Sequence, residues 1–231
     1  MIDKTTALNS ALEKVKHGCS VMVGGFGVPG TPFMLLEGLL ARRTGDLVLI
    51  KNEANEAGLG ISRLIEAGRV KRLITSHLGL NGTVINMMNR GEIEVDFYPQ
   101  GILAEKIRAG GAGLLGIVTD IGIDTILRRG KIIITLGEKE GIVEPALRAD
   151  VAFVHAARAD RSGNLVYEKS SRNFNPLMAT AADLVIAEAE AVVEIGEIPP
   201  DQVHTPGAFV DYVVAIEQLT PEYGVLQHHV H

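Results

Sequence analysis

The 231-residue chain has no tryptophan, a single cysteine and only 4% aromatic residues. One thiol, Cys19, excludes an intrachain disulfide and fits a reducing, cytoplasmic setting; a buried, unreactive side chain is its plain reading. With so few rings there is little to stack on nucleobases, and a core must be built from Val, Ile, Leu and Ala in helix–sheet layers. The net charge is −6 and no Lys/Arg block exceeds a pair, which argues against nucleic acid or an anionic membrane as partner. No apolar run reaches the ~18 residues of a membrane span. Residues 1–17 mix charges with Leu8, Leu12 and Val15 at helical spacing, unlike the basic-then-apolar order of a signal peptide. Catalytic strings are missing too: there is no Gly-x-Ser-x-Gly elbow, no His-Glu-x-x-His and no Cys pair for zinc, so no metal is expected.

What the chain does have is glycine in telling places. In Ser20-Val-Met-Val-Gly-Gly-Phe-Gly-Val-Pro-Gly-Thr-Pro32 a buried-strand run breaks into spaced glycines and then a helix start. Backbone N–H groups at such a break approach a ligand closely, and the next helix N-terminus adds unpaired donors and a favourable dipole. A phosphorylated or nucleotide-bearing ligand is the natural reading. Gly25-x-Gly27-x-x-Gly30 satisfies the dinucleotide fingerprint, with Glu53 lying 23 residues beyond Gly30, near the expected place of a ribose-binding acid. Pro29 and Pro32 stiffen the segment, and Thr31 as N-cap with Pro32 at the first helical position would start the helix after the loop. A nicotinamide cofactor, another phosphate-bearing ligand and a structural turn all remain open on these residues.

After an amphipathic helix near residues 5–16, β-branched runs at 21–23, 47–50, 72–75, 93–97, 132–136, 151–154 and 184–187 alternate with helical patterns at 33–42, 60–67, 83–89 and 102–109. This order predicts an α/β fold with a mostly parallel sheet covered on both faces by right-handed crossovers. Ligands of such sheets sit at the strands' carboxyl ends, where the glycine loop falls. One domain over 1–220 is expected, with an irregular tail at 221–231 whose His228, His229 and His231 read as a frayed end and not a metal site.

A second cluster, Pro99-Gln-Gly-Ile-Leu-Ala-Glu-Lys-Ile-Arg-Ala-Gly-Gly-Ala-Gly113, repeats the strand–loop–helix order. Gln100 would project at a strand's carboxyl end, where its amide could donate to a developing oxyanion; bonding to local backbone is the other reading. Residues 109–113 read as a helix end and turn, and Arg108 as a solvated helix residue. Asn52, following the run at 47–50, points toward the same mouth. Glu53 and Glu56 behind it could attack an acyl group, yet no partner is visible to tune them, and solvated loop acids are the simpler reading. Binding loops without a catalytic engine suggest a protein whose reactive group comes from another chain.

Four ordered motifs carry a resemblance: Val23-Gly-Gly-Phe-Gly-Val-Pro-Gly-Thr-Pro32, Tyr98–Gly113, Ala157-Arg-Ala-Asp-Arg-Ser-Gly-Asn-Leu-Val-Tyr167 and Arg172-Asn-Phe-Asn-Pro-Leu-Met178. Nearly end to end, the chain resembles the alpha subunit of family I 3-oxoacid CoA-transferases, the short-chain acetate/butyrate–acetoacetate type. The resemblance implies a three-layer α/β/α fold and transfer of CoA from an acyl-CoA to a free carboxylate. It implies a ping-pong route through a glutamate on a beta subunit, carried in a Ser-Glu-Asn-Gly-like motif this chain lacks. It further implies CoA as substrate with no permanently bound cofactor, and an alpha2beta2 or larger assembly. By the same resemblance Gly24, Gly25, Phe26, Gly27, Val28, Pro29 and Gly30 form the CoA-associated loop, Gln100 supports the oxyanion, and Asn52 and Gly101 line the substrate pocket. Glu53 stands where many relatives have Asn or Asp, and Asp124 where many have a small residue, which bears on acyl specificity. An NAD-dependent oxidoreductase and a non-catalytic CoA-binding module are the rival expectations.

Overall fold

The computed structural model describes residues 2–223. Six α-helices are formed: α1 (Leu8–Leu12), α2 (Phe33–Ala41), α3 (Ile61–Glu66), α4 (Gly82–Asn89), α5 (Gln100–Gly111) and α6 (Asn175–Thr180). The first seven strands are β1 (Ser20–Val23), β2 (Leu47–Ile50), β3 (Val70–Thr75), β4 (Glu94–Phe97), β5 (Gly116–Thr119), β6 (Ile132–Leu136) and β7 (Lys139–Pro145). Four more follow: β8 (Ala149–Asp160), β9 (Leu165–Val166), β10 (Ala182–Val193) and β11 (Tyr212–Ala215).

The main sheet has the order β11-β10-β8-β1-β2-β3-β4, all parallel, with β9 added antiparallel to β8. Alternation along its strands sends Val21, Val23, Leu47, Leu49 and Phe153 to one face, against α1 to α4. Met22, Ile50, Ala152 and Val154 go to the other, against α5 and α6. Both faces of the central strands are dry, which is why they read as near-continuous apolar runs. From β1 the chain steps to β2, β3 and β4 in one direction, and from β8 to β10 and β11 in the other. The carboxyl end of the β1/β8 pair is therefore the switch point where α/β sheets leave a crevice for ligands.

Several boundaries differ from the sequence expectation. The first helix is one short stretch, Leu8–Leu12, and β8 and β10 each run to 12 residues, well past the short runs at 151–154 and 184–187. Their extensions pair with one another in register from Ala182/Ala149 to Val193/Asp160. Alternating Ala and charged residues there hide a strand whose partner, and not its apolar content, defines it. Residues 116–145 fold as a separate three-stranded antiparallel sheet, β5-β7-β6, which the expected β/α alternation did not contain. Within the expected tail, Tyr223 packs edge-on against Phe33 at 5.2 Å; His228, His229 and His231 lie outside the described residues. None of the described helices is long and apolar enough to cross a membrane.

Candidate active site at the carboxyl edge of the sheet

The glycine loop sits at the switch point. Gly24 N continues the β1 ladder by donating to Phe153 O at 2.9 Å, and Gly25 then turns with φ 96°. A Cβ on Gly25 would lie 2.3 Å from Thr31 Oγ1, so conformation and space both demand glycine. The loop's carbonyls are largely tied back into the protein. Lys51 Nζ donates to Gly24 O at 3.1 Å; Thr31 Oγ1 and Asn55 Nδ2 donate to Gly27 O at 2.7 and 2.9 Å. Asn173 Nδ2 donates to Pro29 O at 2.9 Å and Asn175 Nδ2 to Gly30 O at 3.0 Å. The N–H groups of Gly25, Gly27, Val28 and Gly30 have no acceptor among the described residues. A loop whose oxygens are held inward and whose amides are left over suits an anionic ligand.

Helix α2 does not add the donors that the sequence suggested. Glu188 Oε2 accepts from Leu35 N at 3.0 Å and Tyr223 Oη from Met34 N at 2.9 Å, while Phe33 N and Leu36 N bond to Thr31 O and Pro32 O. The first turn is satisfied internally, by a carboxylate that the helix dipole itself favours. Pro32, and not Thr31, is the N-cap residue; Thr31 is fully buried and bonds to the loop instead.

Beneath this cap His155 bridges Glu188 Oε1 at 2.9 Å and Glu190 Oε1 at 3.0 Å, and Tyr223 Oη donates to Glu188 Oε1 at 2.6 Å. Burial works to lower the His155 pKa, but the two carboxylates outweigh it and hold it above the ordinary histidine value. Burial, with Glu188 alongside, raises the Tyr223 hydroxyl. Lys51 is fully buried, and burial pushes its ammonium down to about 8 against the pull of Glu53.

Gln100 is the first residue of α5, directly after Pro99. Ser76 Oγ hydrogen-bonds to Gln100 Oε1 and lies 2.5 Å from Asn52 O. With Oε1 engaged, the amide Nε2 is the group left to donate outward. Gly101 follows at the exposed start of the helix with open space about it. Asn52 is fully buried, and neither its Nδ2 nor its Oδ1 has a partner among the described residues. Ser76, directly after β3, thus ties Gln100 to the end of that strand, next to Asn52 after β2 and two strands from the glycine loop after β1.

Glu53 is not a solvated loop acid: it is 6% exposed and accepts from Asn55 Nδ2 at 3.0 Å. It helps line a hollow of about 300 Å³ with loop residues 26–29, Asn55, Glu56, Leu59 and Leu80. Arg108 pairs with Glu105 on the exposed face of α5, and Asp124 is exposed. Residues 109–113 are a helix end and turn, closed by Leu114 N donating to Ala109 O at 2.9 Å. No group of His, Cys, Asp or Glu among the described residues is arranged to hold a metal.

Sequence reasoning passed over Lys51, Ser76 and the His155–Glu188 pair, and met Asn175 only within the Arg172–Met178 motif, without a role of its own. Lys51 had a signal: it continues the buried Leu47–Leu49 alternation with a charge. The others touch the site only through folding.

The coenzyme A transferase family profile matches residues 5–215. The alpha subunit of a probable coenzyme A transferase of Bacillus subtilis (strain 168) is 47% identical over 93% of this chain and 94% of its own length. The alpha subunit of the acetate CoA-transferase of Escherichia coli (strain K12) is 44% identical over 94% and 99%. Among solved structures, an acyl-CoA transferase of E. coli O157:H7 in a thioester complex with CoA superposes with TM-score 0.85 at 23% identity, over 94% of this chain and 48% of that one. Glutaconate CoA-transferase of Acidaminococcus fermentans gives TM-score 0.81 at 20% identity, over 95% and 77%. The chain thus spans about half the length of the first of these folds, and nearly all of the curated alpha subunits. It belongs to the coenzyme A transferase family, as an alpha subunit.

Proposed function

We propose that this chain forms one wall of a heteromeric CoA-transferase site. The reaction moves CoA between a short-chain acyl-CoA, such as acetyl-, butyryl- or acetoacetyl-CoA, and a free carboxylic acid. The observation that carries the reading is a strand-end glycine loop with four amides left without an acceptor among the described residues, in a chain that also holds Gln100 on Ser76 at the same edge of the sheet. A glutamate on a beta subunit supplies the nucleophile. Its carboxylate attacks the thioester carbonyl, and Gln100 Nε2 donates to the oxyanion as the C=O electrons move to oxygen. Collapse expels CoA thiolate and leaves an acyl–glutamyl anhydride. The thiolate then attacks the glutamyl carbonyl, releasing the first acid as carboxylate and leaving a glutamyl-CoA thioester. The second acid repeats the sequence in reverse, so thioester energy is kept rather than lost to water.

Residues 24–30 would form the CoA-associated loop, with Asn52, Gly101 and the hollow bordered by 26–29 on the acyl side. An alpha2beta2 or larger assembly completes the site, CoA is substrate and not a resident group, and the single Cys19 fits a cytoplasmic place. A dinucleotide in the same loop is disfavoured because the α2 amides that should hold its pyrophosphate are already bonded; binding of NADH at micromolar levels would revive it.

The test is reconstitution. The chain alone should transfer no CoA, and mixing it with its co-purifying partner should restore transfer. In that assembly Gln100→Ala should lower kcat by ~10- to 1000-fold, the range of one oxyanion donor. Transfer by the pure chain, or an unchanged kcat, rejects the division of labour or the Gln100 role respectively.

A further inference from the structure

The 300 Å³ hollow beside the glycine loop has an unusual lining for a short-chain acyl group. Phe26, Val28, Leu59 and Leu80 give it apolar walls, and Glu53 brings a buried carboxylate to it. No Lys, Arg or His among the described residues lines it. Glu53 is held there, not loosely placed: Asn55 is itself fixed by donating to Gly27 O at 2.9 Å and accepting from Ile61 N at 3.1 Å, and it clamps Glu53 Oε1 at 3.0 Å. Oε2 of this 6% exposed side chain has no hydrogen bond among the described residues. Lys51, whose charge attracts Glu53, lies behind the wall, with its ammonium on Gly24 O and Thr31 Oγ1. A ligand entering the hollow meets the carboxylate and not the cation.

Such a cavity repels a second carboxylate on the acyl group and gives a purely aliphatic chain no partner for Glu53. A short chain ending in an ammonium satisfies both parts, its methylenes against the apolar walls and its N–H groups on Oε2. Resting on the transferase reading above, we propose that the hollow takes the acyl end of the substrate and that Glu53 selects acyl groups bearing a cationic amine.

The experiment uses the assembled enzyme with acetyl-CoA as donor and isosteric acceptor pairs: 3-aminopropionate against butyrate, and 4-aminobutyrate against pentanoate, with succinate as the dicarboxylate. The amino acids should exceed their isosteres in kcat/KM by ~10- to 100-fold, the worth of one charge-assisted hydrogen bond, with succinate poorest. Glu53→Gln should collapse that ratio and improve succinate relative to the amino acids, and Glu53→Asp should keep its direction. Equal or better use of the aliphatic acids by the unaltered enzyme overturns the proposal. So does a Glu53→Gln variant that lowers every acceptor by the same factor. If no acid is transferred, the transferase reading fails first. Titration of the same complex with 4-aminobutyrate and pentanoate, followed by NMR, then decides separately: tighter binding of the amine upholds the site, and equal binding rejects it.

Discussion

Asn175 shows how much of the site's geometry rests on one side chain. Its Oδ1 accepts from His155 N at 3.1 Å, while Nδ2 donates to Gly30 O at 3.0 Å and Ser171 O at 2.8 Å, all without exposure to solvent. The amide fits because Gly24 has no side chain: a Cβ there would lie 1.9 Å from Asn175 Oδ1. Gly24→Ala should therefore displace Asn175 and free the Gly30 end of the loop. The expected cost is about 1–3 kcal/mol, read from the denaturant midpoint. A rise in KM for the acyl-CoA should accompany it, larger than the fall in kcat, if the loop meets CoA and Gln100 supports the oxyanion as proposed. A variant with normal KM would separate Asn175 from ligand binding.

At the scale of elements, the β8–β10 pair and α2 are joined by the His155–Glu188 contact, and pH reaches the fold through it. The His155 pKa is raised in the folded chain above the ordinary histidine value of 6.5. The folded state thus binds the proton more tightly than the unfolded one, so this contribution is fully present below 6.5 and fades as pH rises through the folded value. His155→Gln should narrow the stability gap to the parent as pH increases across that window, measured by urea unfolding at several pH values. A gap independent of pH would mean that the imidazolium contributes nothing.

The same contact explains what could be read in advance. The parallel order of the main sheet was legible, because Val21–Val23 and Leu47–Ile50 are apolar runs bounded by turn residues and helical patterns. The places of the glycine loop and Gln100 at strand ends were legible because turn chemistry and strand ends are local. The use of α2's amides was not, since the residue that takes them, Glu188, lies 153 positions from Leu35 and becomes a cap only when β10 is in place. Glu53 likewise reads as solvated until Asn55, at φ 58°, folds back over it. Of the small sheet only the run at 132–136 was noticed, because its other strands, Gly116–Thr119 and Lys139–Pro145, lack an apolar alternation of their own.

Taken whole, the molecule joins two bodies of unequal strength. The central strands of the main sheet are buried on both faces, whereas β5 and β6 contain no fully buried residue and β7 only a few, Ile142 and Glu144 among them. Val118, Ile132 and Leu136 of the small sheet are exposed. A buried ion pair helps tie it to the rest. Glu144, at 3% side-chain exposure, bonds Lys106 of α5 at 2.9 Å and Lys131 at 2.9 Å, with both ammonium groups over the Tyr98 ring. Burial works to raise the Glu144 carboxyl, but the two lysines outweigh it and keep it below its usual value. Removing one partner of a buried pair leaves the other poorly compensated. Lys106→Met should therefore weaken the small sheet selectively, lowering the opening free energy of β7 amides by about 1–3 kcal/mol in native-state hydrogen exchange. Amides of β1, β2 and β8 should hold their protection, since their ladders and both dry faces are untouched. If every strand lost protection by the same amount, the two sheets would open as one unit. Because Tyr98 and Gln100 stand at the start of α5, selective loosening should also reach the proposed oxyanion support, lowering kcat while leaving KM for the acyl-CoA near that of the parent.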